Sequence, residues 1–138
     1  MMKARCWLCL GPVLFCLLDG GLTLHGQSHA YWQGQFDQAE ELNPFGLWPL
    51  RQSPLVFVFV MFCWMSIFCA ALVSLPEHLA RLLAFAVQVG HSFGAASWLA
   101  RHGLFGWLAI VLVLFFSRFI LHRTWKKYDC ARLASRLS

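Results

Sequence analysis

The sequence predicts an all-α polytopic membrane protein: a four-transmembrane-helix bundle with one long outer loop. Three observations carry this. Of 138 residues, 59% are hydrophobic and only 12% are charged, against about 25% charged in an ordinary soluble domain. Four apolar runs, residues 6–24, 54–75, 79–100 and 103–121, approach the length of about 20 residues that a spanning helix needs. The basic residues gather at the ends of those runs, which is the pattern of a membrane protein and not of a nucleic-acid surface, despite the net charge of +5. Mean hydropathy is +0.61, and the chain reads as a single membrane domain over residues 1–138.

The first run follows a short basic segment, "MMKAR". No small-x-small cleavage site follows its apolar core closely, so an uncleaved helix is expected rather than a signal peptide. The second run opens on Pro54 and is closed by Pro76, and "LPEH" makes a tight turn into the third. The link to the fourth, "RHG", is short enough to force an antiparallel hairpin. Lys3, Arg5, Arg81, Arg118, Arg123, Lys126, Lys127, Arg132 and Arg136 fall at one side, and Arg51 and Arg101 at the other. The positive-inside rule then makes both termini cytoplasmic, in the cell inner (cytoplasmic) membrane, with the 25–53 loop outside. The loop is rich in Trp, Tyr and Gln, and an interfacial helix is expected over residues 31–42. The basic tail, residues 122–138, is expected to lie on the anionic lipids of the inner leaflet.

The six cysteines lie mostly inside apolar runs, so they read as small packing residues and not as a disulfide framework. "CWLC" lacks the second pair of a zinc site and the βαβ context of a redox motif. No G-x-S-x-G and no phosphate-binding glycine loop is present.

Polar residues within the runs mark the candidate site. Asp19 is costly inside a membrane and is expected to face the bundle interior, with Thr23 one turn on along the same face. In the third run Gln88, His91, Ser92 and Ala95 form one helical stripe, beside a small-xxx-small pair at Gly90 and Gly94. Counted from the inner side, Asp19 is about 20 Å up and His91 about 18 Å up, so an Asp–His pair is expected. The second run offers only Cys63, Ser66, Cys69 and Ser74, and the fourth only Ser117 and Arg118. A site is therefore expected from the first and third runs plus the loop. There, "DQAEELNPFG" supplies Glu40, Glu41 and Asn43, and Asn43-Pro44 reads as a turn that ends the loop helix and lowers a Glu over Asp19 and His91. Asp19, Glu41 and His91, with His25 and His29 of "HGQSH", are the candidate ligands if the cofactor is a divalent metal.

Asp19, Thr23 and "ELNP", followed by apolar hairpins and "GHSFGAASWL", resemble an uncharacterised family of small bacterial membrane proteins. That family is a domain of unknown function with a D…T…E-x-NP signature, and the resemblance spans about residues 18–99. It implies a four-helix membrane fold and the same choice of polar residues, and it carries no activity. The function expected is that of an accessory or interaction protein, with the lipid bilayer and another membrane protein or a second copy as partners and no nucleic acid. The alternative is a small membrane enzyme or ion-binding protein with an outward-facing Asp/Glu/His site.

Overall fold

The computed structural model describes the backbone of residues 2–137 and the side chains of residues 5–134. Lys3 and Arg136, counted above for charge, lie outside the described side chains. All regular structure among the described residues is helical: α1 (Met2–His25), α2 (His29–Trp32), α3 (Pro44–Leu50), α4 (Pro54–Ser74), α5 (Glu77–Leu99) and α6 (Gly103–Leu137), with short 3-10 turns at Phe36–Gln38 and Ala100–His102. Three stretches are helical, long and apolar enough to cross a membrane: Arg5–His25, Pro54–Ser74 and Glu77–Ala134, the last holding both α5 and α6.

The ends of α4 show why the chain breaks where it does. Ser53 accepts a hydrogen bond from the Val56 N–H at 3.1 Å and Pro54 takes the first helical position, the usual N-terminal pairing. At the other end Arg5 donates to the carbonyls of Val73 and Leu75, each at 2.6 Å. A cation on the last carbonyls satisfies orphan acceptors and suits the helix dipole.

Helix α1 is the hub, packed against α4, α5 and α6. It runs antiparallel to α4, since Arg5 meets Val73, and parallel to α5, since Asp19 meets His91. Helix α6 folds back antiparallel on α5: Gln88 meets Ser117, and Arg81 meets Asp129. The main core lies toward the end of the bundle where α1 begins and α4 ends, where Leu8, Cys16, Met65, Phe68, Leu72, Ala80, Ala84, Val87 and Tyr128 interlock. Outside this core the helices present Phe59, Phe62, Ile67, Phe93, Leu112 and Phe115 to the surroundings. In water such a surface would associate; hydrocarbon solvates it.

At 35 residues α6 is about 52 Å long, well beyond a hydrocarbon core of about 30 Å. The helix continues through the basic tail, where Tyr128 is buried in the core and Arg132 pairs with Glu77. One expectation changes here: the 25–53 loop forms a folded cap and not one interfacial helix. Its helix stops after Trp32, where Gly34 takes φ +96°, a conformation that glycine adopts without strain. Asn43-Pro44 starts a helix where the sequence suggested the end of one. Asn43 Oδ1 accepts from the Phe45 N–H at 3.1 Å and Pro44 stands at the first turn of α3. A second core of Tyr31, Ala39, Leu50 and Phe57 holds this cap on α4.

Candidate functional site

Trp64 lies midway along α4, ten residues from Pro54 and ten from Ser74, about 15 Å from either end. At that level three side chains line up. The Trp64 indole N–H donates to His91 Nε2 at 3.2 Å, and His91 Nδ1 lies 2.8 Å from Asp19 Oδ2. Indole nitrogen is a donor only, so Nε2 must be the accepting nitrogen. Nδ1 then faces the Asp19 carboxyl as the donor. The two partners hold the imidazole in one orientation. The Trp64 contact adds α4 to a site expected from the first and third runs plus the loop alone; aromatic N–H donors are easily overlooked in a greasy run.

Gly94 makes room for this arrangement. A Cβ there would stand 2.5 Å from Asp19 Oδ1 and 2.6 Å from Oδ2. The small residue thus serves the approach of a carboxyl rather than of a helix backbone alone.

Gln88 and Ser92 belong to a different node. Gln88 Nε2 donates to the Ser117 carbonyl at 2.7 Å and lies 3.0 Å from Ser117 Oγ. Ser92 Oγ donates to the Gln88 carbonyl at 2.7 Å and lies 3.0 Å from the same Ser117 Oγ. Gln88 and Ser92 are buried between α1 and α6, whereas His91 turns toward α4. A helical stripe wide enough for three residues meets two neighbouring helices, so the single site expected from the spacing divides in two.

The loop carboxylates also find other partners. Glu40 Oε2 accepts from Arg101 Nη1 at 2.6 Å, and the Arg101 guanidinium lies 4.0 Å over the Trp98 ring. Glu41 Oε1 accepts from the Asn43 N–H at 2.8 Å, and its Oε2 lies 3.4 Å from the buried Thr23 hydroxyl. Neither carboxylate is bonded to Asp19 or His91. His25 ends α1 and His29 begins α2, so no single helix face carries both. Among the described residues no group of three His, Cys, Asp or Glu side chains is placed to hold a metal ion. The six cysteines form no disulfide among the described residues.

The residue that organises the cap is Gln27, which sequence reasoning passed over. Its Nε2 donates to the carbonyls of Thr23 at 2.9 Å and Glu40 at 2.8 Å, and its Oε1 accepts from the Glu40 N–H at 2.9 Å. One buried amide thereby clamps both backbone groups of a loop residue. Nothing in the sequence marks it, because a lone Gln after a spanning run has no periodicity.

Tyr31 completes the cap: fully buried, it donates from its hydroxyl to the Leu50 carbonyl at 3.2 Å. Burial raises its phenol pKa above the ordinary value of 10.0. The folded cap therefore binds the phenolic proton more tightly than the unfolded chain, so its stability falls as pH rises above about 10. The difference in absorbance titration between wild type and Tyr31→Phe should show phenolate only above that value; a midpoint at or below 10 would contradict the burial.

No protein-family model, curated protein or solved structure matches the chain.

Proposed function

We propose that this is a four-span accessory protein of the cell inner (cytoplasmic) membrane, with both termini cytoplasmic. It acts through its membrane-facing surfaces on lipid, on another membrane protein or on a second copy of itself. The observation that carries this reading is the commitment of its polar groups: Asp19, His91, Glu40, Glu41, Gln88 and Ser92 are each bonded within the chain. Polar groups bonded to one another within the chain position helices and loops.

Several features support the four spans and their orientation. As one straight helix the 58-residue stretch Glu77–Ala134 would run about 87 Å, and α6 instead returns along α5. Each limb is then long enough for one membrane crossing, and α6 runs on past it. Arg5, Arg81, Arg123, Lys126, Lys127 and Arg132 stand at one end, and Arg51 and Arg101 at the other, which by the positive-inside rule puts the first group in the cytoplasm. The likeness of the D…T…E-x-NP residues to small bacterial membrane proteins fits the same picture.

Asp19→Asn separates this reading from a catalytic or ion-binding one. An amide oxygen still accepts the His91 Nδ1 proton, so the variant should unfold in denaturing detergent within about 1 kcal/mol of wild type and keep its cellular phenotype. An unchanged fold with a lost phenotype would instead make the Asp19 charge functional.

A further inference from the structure

We propose that the inner end of the bundle carries a binding site for an anionic phospholipid, in the groove between the start of α1 and the last third of α6. This rests on the membrane orientation above and narrows it to named residues. The groove has a volume of about 510 Å³ and is lined by Trp7, Arg123, Lys126, Lys127, Cys130 and Ala131. Among the described residues its lining has three cations and no carboxylate. The two carboxylates at this end are engaged elsewhere: Glu77 by Arg81 and Arg132, and Asp129 by Arg81. Arg123, Lys127 and Cys130 share one face of α6 at i, i+4 and i+7, so the positive charge is directed into one place.

The floor and walls suit a lipid. Lys127 Nζ lies 4.2 Å over the Trp7 ring, and the Arg123 guanidinium lies 5.1 Å over Phe119. Both cations are thus held against aromatic faces with donors left for an anion. Trp7 is at the level of the α4 C-terminus, since neighbouring Leu8 packs with Leu72. That is where a headgroup phosphate of the inner leaflet sits. Above the groove α6 presents exposed Leu112, Phe116 and Phe119, and α1 presents exposed Leu10 and Leu14. Phe15 and Phe116 join the two helices at 6.1 Å between ring centroids. An acyl chain running down these walls connects with a phosphate held by Arg123, Lys126 and Lys127. A free anion would use the cations but not the apolar track.

Native mass spectrometry of the full chain in detergent tests this, with phosphatidylglycerol and phosphatidylcholine of equal acyl length as probes. One phosphatidylglycerol should be retained in preference to phosphatidylcholine. The preference should fall about five-fold for each cation removed in Arg123→Gln and Lys127→Gln. Arg51→Gln, at the other end, should leave it unchanged. Equal retention of the two lipids, or an equal loss in Arg51→Gln, would overturn the site. Displacement by equimolar inorganic phosphate would overturn the lipid in favour of a free anion. The readout in detergent does not depend on which side the tail faces, and labelling of exposed Cys130 in intact cells reports that side separately. Labelling from outside would sink the orientation while a retained lipid preference still upheld the groove.

Discussion

Gln27→Leu is expected to release the cap while leaving the long apolar helices in place. The substitution removes three hydrogen bonds, to the Thr23 carbonyl and to both backbone groups of Glu40. At about 1 kcal/mol each, plus desolvation of a partly buried N–H and C=O left without partners, the loss is on the order of 3 kcal/mol. Leucine is close in size to glutamine, so the effect is one of bonding and not of space. Because the clamp acts at Glu40, the Arg101–Glu40 ion pair and the Thr23–Glu41 contact should loosen with it. Hydrogen exchange at the amides of Ala39 and Glu40 should accelerate, and added protease should cut the loop of the detergent-solubilised protein. Helical content in α4 and α5 should hold. An unchanged exchange rate at Glu40 would mean that the second core around Tyr31 and Leu50 fastens the cap unaided.

Gly94→Val is expected to dismantle the Asp19–His91–Trp64 line. A first side-chain carbon there already collides with both carboxyl oxygens of Asp19, at 2.5 and 2.6 Å. The carboxyl has to swing away, which takes the acceptor from His91 Nδ1. Overpacking of this kind costs about 1–3 kcal/mol, and the lost hydrogen bond adds to it. Unfolding in denaturing detergent should shift by roughly 3 kcal/mol. In a double-mutant cycle most of that should vanish when Asp19→Ala is already present, because the smaller side chain leaves room for the valine. Equal costs in both backgrounds would show that Gly94 matters for the approach of the helices and not for the carboxyl.

The two nodes also show how far a stripe of polar residues can be read. The depth count placed Asp19 and His91 at one level, and the 2.8 Å contact lies there. That much is legible because rise per residue is a property of any helix. The same count says nothing about azimuth, so it could not separate His91, which turns to α4, from Gln88 and Ser92, which turn to α6. Trp64 was at a matching depth all along, hidden because it counts as apolar in any hydropathy sum. Glu40 and Glu41 were singled out as loop carboxylates, but a loop's path depends on where it is tied. The tie is Gln27, a residue without a motif.

What this sequence determines by itself is set by local composition and period. The apolar runs, their capping residues and the asymmetry of Lys and Arg specify helices and the surroundings those helices need, because each signal lies within one turn or one run. The tertiary structure alone decides which of those helices touch. It makes α1 the hub, carries α6 on past the expected membrane boundary by burying Tyr128, and turns an acidic stretch into the upper edge of a cap. These outcomes depend on side chains far apart in sequence meeting at fixed distance and direction, and no local pattern encodes that meeting.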